Sequence, residues 1–239
     1  SLFCISLELF FTRILNLKTW NHVVYLIIPF AILGFGVGAN AYLILRNKIK
    51  AGRNDLVAAC LFLLAGLSVL VTQGLIHLPV GAANLMDSFH SLRAGLALSL
   101  AYTLVAVPFV VIGFVVVYFF MEDSKETGKL YFWNLAGSGA GAAVFFLLIN
   151  RFQVFHSILL LCLALIVLGA GYLQRGKRWL AGLLALACSA GLWMPEPSEY
   201  AIDAKKGWEW VPGYFSEKQY EKVLSRWHPY GRTDAYRFL

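Results

Sequence analysis

Two ionisable residues lie inside the first apolar run of this 239-residue chain, Glu8 and Arg13. Each costs about 3 kcal/mol at the centre of a bilayer unless it is paired or hydrated. Five residues apart, they stand about 140° from one another round a helix and are poorly placed to pair. Both are therefore expected to face the bundle, towards another helix or a wet cavity. One chemistry this suits is a polar site for a substrate, an ion or a head group. The other is a structural clamp, with Arg13 snorkelling towards an interface. Asn40 and Asn134 are milder cases, able to hydrogen-bond across helices.

The histidines form a second candidate set. His22, His77, His90 and His156 fall at or near the same ends of the apolar runs. Four imidazoles on one side could ligate a haem or a metal. No HxxxH pair supports that chemistry, and the carboxylate nearest to them in sequence is Asp87. Cys4, Cys60, Cys162 and Cys188 are far apart, with no CxxC pair, and read as small packing residues. Nucleophilic and metalloprotease signatures are missing: there is no G-x-S-x-G, HExxH or paired-carboxylate motif.

The glycines read as contacts, not catalysis. Gly137 to Gly141 looks like a phosphate loop, but such a loop needs a preceding strand and a solvent-facing helix N-terminus. Here the run continues into apolar residues. Gly34 with Gly38, and Gly137 with Gly141, place small residues four apart, the spacing of close helix seams. Pro29 and Pro108 are expected to kink the helices that carry them.

The elements that must hold these residues follow from composition. Apolar residues make up 59% of the chain and charged residues 14%, where a soluble domain carries about 25% charged. That excludes a disordered tail, a disulfide scaffold and an ordinary soluble enzyme. A hydrocarbon core about 30 Å thick needs about 20 apolar residues in helix. Seven stretches approach that length: 1–17, 22–45, 56–78, 95–120, 130–150, 156–173 and 179–194. Helices are required because lipid leaves an open backbone unsatisfied, and the runs do not alternate as a barrel would. The expected fold is an all-α polytopic transmembrane bundle of about seven spans over residues 1–194, with a short soluble tail over 195–239.

Charge orients the bundle. The net charge of +7 resides in residues 1–194, while the tail balances its acids and bases. Nine Lys and Arg follow the even spans, in loops 46–53, 125–129 and 175–178; three lie in the opposite loops. The positive-inside rule puts the nine in the cytoplasm of an inner-membrane protein and predicts contact with the lipid bilayer, not nucleic acid. Seven spans would leave the tail outside, and a segment that fails to cross would reverse it. Within the tail, Ser216 and Gln219 fit a capping box. Tyr220, Val223, Leu224 and Trp227 recur at helical spacing, which predicts a short amphipathic helix ending near Pro229. A strand-like run follows from Thr233 to Phe238. Both ends of the chain read as cut from a longer protein.

Four segments in order carry a family resemblance. They are ELFFTRIL from Glu8 to Leu15, LGFGVGAN from Leu33 to Asn40, GKLYFWNLAGSGAG from Gly128 to Gly141, and WHPYGRTDA from Trp227 to Ala235. Together they resemble the membrane-embedded, spermidine synthase-like proteins of bacteria, in which a multi-span region precedes an aminopropyltransferase-type domain. The resemblance implies a covalently continuous soluble domain beyond this chain, binding S-adenosylmethionine or its decarboxylated form. It implies no catalytic residue among these 239. Glu8, Arg13 and Asn134 match membrane-region positions of the family. Two other functions stay open from the residues alone: a transporter or channel for a small amine or lipid-like molecule, with Glu8 as the cation contact, and a haem- or quinone-linked redox module. The glycine seams could also serve a homo-oligomer.

Overall fold

A computed structural model of the chain describes residues 1–18, 24–49, 52–77, 92–173, 175–192, 220–228 and 231–238. Seven α-helices carry the apolar runs: α1 Leu2–Lys18, α2 Ile27–Leu45, α3 Arg53–His77, α4 Leu92–Glu122, α5 Thr127–Arg151, α6 Val154–Tyr172 and α7 Arg178–Leu192. Short 3-10 turns, Ser124–Glu126 and Arg175–Lys177, precede α5 and α7. Helix positions match the apolar stretches because each run is long enough to demand internal backbone pairing.

Five helices, α2 to α6, are long and apolar enough to cross a membrane. With 17 and 15 residues, α1 and α7 extend about 25 and 22 Å at 1.5 Å per residue, short of a 30 Å core. The molecule is thus a membrane-associated helical bundle with five candidate spans and two shorter helices.

Two tight pairs and a central helix organise the packing. α2 lies along α4, α3 lies along α6, and α7 lies on the outer side of α6. α1 is seated on α5 and also touches α2, α3, α4 and α6. Its residues Leu7, Phe10, Phe11 and Ile14 are wholly buried. α5, by contrast, leaves Tyr131, Phe132, Trp133, Leu135 and Leu147 exposed, a surface that lipid would cover.

Glycines set both close approaches. A Cβ on Gly34 or Gly38 would overlap the carbonyl oxygens of Ala106 or Val110 on α4, and one on Gly113 would overlap Phe35. On the other seam, a Cβ on Gly141 would overlap the Leu2 carbonyl, and one on Gly137 would meet Ser1. Ser6 Oγ, buried, donates to the Gly141 carbonyl oxygen at 2.7 Å. The α3–α6 pair packs through side chains: Phe62 covers Gly169, and Cys162 Sγ donates to the Ala65 carbonyl oxygen. Ser68 and Thr72, both buried in α3, return their hydroxyls to carbonyls four residues earlier, so neither needs a partner across the interface.

Three expectations change. Pro29 stands in the first turn of α2, where a missing N–H breaks no helical bond, so it starts the helix and does not kink it. Pro108 does lie inside α4. Second, the tail is not an amphipathic helix followed by a strand. Tyr220–His228 is β1 and pairs antiparallel with β2, Gly231–Phe238. The register skips between Lys222 and Leu224, with Val223 as the extra residue. That bulge inserts one residue into a period of two, so a strand acquires the three- and four-residue spacings that read as helix. Third, the described residues from Leu2 to Leu192 are helices and turns, as an all-α bundle requires, while the tail adds the two strands. Ser216 and Gln219 lie outside the described residues.

Candidate functional site

α1 has two faces. Phe3, Ser6, Leu7, Phe10, Phe11, Ile14 and Leu15 are buried, whereas Glu8, Leu9, Thr12, Arg13 and Asn16 are half-buried. The second set recurs at four-residue steps, 8–12–16 and 9–13, so one side of the helix carries Glu8, Thr12, Arg13 and Asn16. Thr12 Oγ1 donates to the Glu8 carbonyl oxygen at 2.7 Å, one turn earlier. That bond commits the Thr12 proton and leaves its oxygen able to accept.

The lower half of this face opens into a cavity of about 290 Å³, lined by Leu9, Thr12, Arg13 and Asn16 of α1, Val24 and Tyr25 before α2, and Phe145 and Phe146 of α5. Phe145 forms the floor: it is buried and meets Phe10 edge-on, ring centroids 4.9 Å apart. Tyr25 and Phe146 are exposed and mark the mouth. Polar groups therefore line the α1 wall, and aromatic carbon lines the α5 wall.

Arg13 reaches this cavity and Glu8 does not line it. Among the described residues, neither side chain has an ion-pair or hydrogen-bond partner. Of the two, Arg13 is the one at a cavity; the transporter reading had placed Glu8 at one, but the rotation of α1 that brings Leu9 and Arg13 to the wall leaves Glu8 off it. A cationic contact is what the wall offers.

Asn40 does not bond across helices. It is exposed, and its Nδ2 donates to the Gly36 carbonyl oxygen of its own helix at 3.0 Å. Asn134 is half-buried, and its carbonyl accepts from Ser138 Oγ at 2.9 Å; its amide makes no contact across to another helix among the described residues. His77 ends α3 and His156 opens α6, while His22 and His90 lie outside the described residues. Among the described residues no three His, Cys, Asp or Glu side chains gather to hold a metal.

The other end of the bundle is built differently. Arg53 meets Asp123 at 2.6 Å, Lys177 meets Asp55 at 3.3 Å, and Lys129 meets Glu126 at 3.0 Å. The first two pairs join segments far apart in sequence, so the three basic loops share one end. A second cavity of about 220 Å³ lies there, among Tyr42, Arg46, Ile49, Arg53, Leu56, Tyr118 and Glu122. Tyr42 Oη donates to Glu122 Oε1 at 3.4 Å, and the Arg53 guanidinium stands 5.8 Å from the Phe119 ring centre.

Thr12, Asn16 and Tyr25 were not singled out in the sequence, nor was the aromatic pair Phe145 and Phe146. The four-residue step from Glu8 to Thr12 to Asn16 is a signal that could have found two of them. Tyr25, Phe145 and Phe146 reach the site only through tertiary packing. No protein-family model matches this sequence, and no curated protein or solved structure is similar enough to it to lend it a function. The conclusion the structure itself supports is a membrane-associated helical bundle with an arginine-bearing cavity at the end opposite its basic loops.

Proposed function

We propose that this bundle is the membrane-embedded part of a spermidine synthase-like protein, anchoring and organising an S-adenosylmethionine-type transferase domain that follows the β1–β2 hairpin. One observation carries the reading. The N-terminal stretch just ahead of ELFFTRIL seats on the glycine run ending at Gly141, through Ser1, Leu2 and Ser6. A second resembling segment, Leu33 to Asn40, supplies the seam between α2 and α4. Two of the segments that resemble a family thus supply the glycines at two helix seams. On this reading the basic loops lie in the cytoplasm, α1 crosses with α2 to α6, and α7, with 15 residues, does not cross, so the hairpin stays on the side of the basic loops.

The transporter reading is less favoured. Its cation contact, Glu8, does not line the cavity, and a guanidinium does. The redox reading has no gathered ligand set among the described residues to support it.

Two measurements test the proposal. The gene should continue past Leu239 for roughly 200–300 residues, one domain's worth, with a glycine-rich loop after a strand; a stop codon at that point would end it. A reporter fused after Phe238 should fall on the same side as loop 46–53, where adenosylmethionine is made. The opposite side would remove the transferase half and leave an anchor for some other domain.

A further inference from the structure

We propose that the Arg13 cavity binds the acidic head group of a phospholipid drawn from the bilayer, with phosphatidylglycerol as the type of ligand. This goes beyond the anchoring role and rests only on that reading's placement of α1 in the membrane.

The first reason is charge. Arg13 is half-buried, lines the cavity, and has no ion-pair or hydrogen-bond partner among the described residues. Among the described residues no acidic side chain lines the same cavity. A guanidinium in that state binds phosphate oxygens through two parallel N–H donors. At the basic end the arrangement differs, since Arg53 already has Asp123.

The second reason is the division of the walls. Thr12, Arg13 and Asn16 give the α1 wall polar groups beside Leu9, and Phe145 and Phe146 make the α5 wall carbon. A ligand polar at one end and apolar at the other matches this. Thr12 has committed its proton to the Glu8 carbonyl oxygen, so its oxygen can accept from a hydroxyl, which a glycerol head group offers.

The third reason is depth and size. Arg13 lies five residues before the end of α1 at Lys18, about 7.5 Å along the helix axis. With α1 in the membrane and Lys18 at its surface, that is the level at which head groups meet acyl chains. A volume of about 290 Å³ holds a head group and not a whole lipid. The acyl chains would leave past Phe146 and run along Leu147, both exposed on α5.

The test uses the purified chain in detergent, titrated with phosphatidylglycerol or phosphatidylcholine of the same acyl chains and read by native mass spectrometry. Wild type should retain phosphatidylglycerol roughly tenfold better, the loss expected for one charged hydrogen-bonding group. Arg13→Gln should abolish the preference and Arg13→Lys should keep part of it. Phe146→Trp, which narrows the mouth without touching charge, should weaken it. Lys129→Gln, at the other end, should leave it unchanged. A monodisperse Arg13→Gln protein that keeps the full preference would overturn the proposal. So would displacement of the lipid by inorganic phosphate at equal concentration, which would make the site an anion site without need of a tail. Should Arg13→Gln fail to fold, Arg13→Lys and Phe146→Trp decide: wild-type preference in both rules the proposal out.

Discussion

The two ends of this bundle handle charge in opposite ways. At the basic end, Arg53, Lys177 and Lys129 each meet a carboxylate, and two of those pairs tie distant loops together. At the other end, Arg13 faces a cavity with no acid on its walls. A paired charge at a surface closes a loop and asks for nothing more. A half-buried charge left without a partner among the described residues is costly in itself, and a ligand or water from outside the chain lowers that cost. The difference separates a fastening from a site.

The strongest way to break the comparison is to unseat α1. Gly141→Leu would drive a side chain into the Leu2 carbonyl and cost about 3 kcal/mol or more by overpacking. Denaturant unfolding in detergent should show it. Gly36→Ala is the counterpart: nothing stands within reach of its Cβ, so gained helix propensity should stabilise by up to about 1 kcal/mol. If both variants behaved alike, the seams would not be where the backbones place them.

Arg13 gives a prediction of opposite sign to any ion pair. In lipid-free detergent, Arg13→Leu should leave stability unchanged or raise it by about 1 kcal/mol, since it removes an unpaired polar group from a half-buried wall. A loss instead would mean that Arg13 clamps the fold. Ser6→Ala, which deletes the buried bond to Gly141, should cost about 0.6–1.7 kcal/mol, the range of interhelical hydrogen bonds in membranes.

Much of this architecture is legible without coordinates because its strongest signal is local. A run such as Val154 to Tyr172 must be helical in lipid whatever surrounds it. Small residues spaced as Gly34 and Gly38 announce a close neighbour, though they do not say which one; α4 is a tertiary fact. Glu8 and Arg13 stand out because hydrocarbon penalises them. Their fates diverge through rotation about α1, which puts Arg13 beside Phe146 and Glu8 elsewhere. Asn40 shows the limit of residue type, since an amide can satisfy itself on its own helix. The hairpin was hidden by its bulge at Val223, where the spacing of one secondary structure imitates another.

The smallest expected effect sharpens the comparison most directly. Arg53→Gln removes a pair whose side chains are 51% and 32% exposed and a cation–π contact with Phe119. Exposed pairs contribute about 0.2–1 kcal/mol, so the loss should stay below about 1 kcal/mol. It should shrink further between low salt and 1 M salt, where the Debye length falls to about 3 Å. Lys177→Gln, across the looser 3.3 Å pair with Asp55, should lose less still and share the salt dependence. The stability change in Arg13→Leu should not follow salt in that way, because the guanidinium has no protein charge to be screened from. A common salt dependence at Arg13 and Arg53 would place both arginines in the same class and remove the distinction between the two ends.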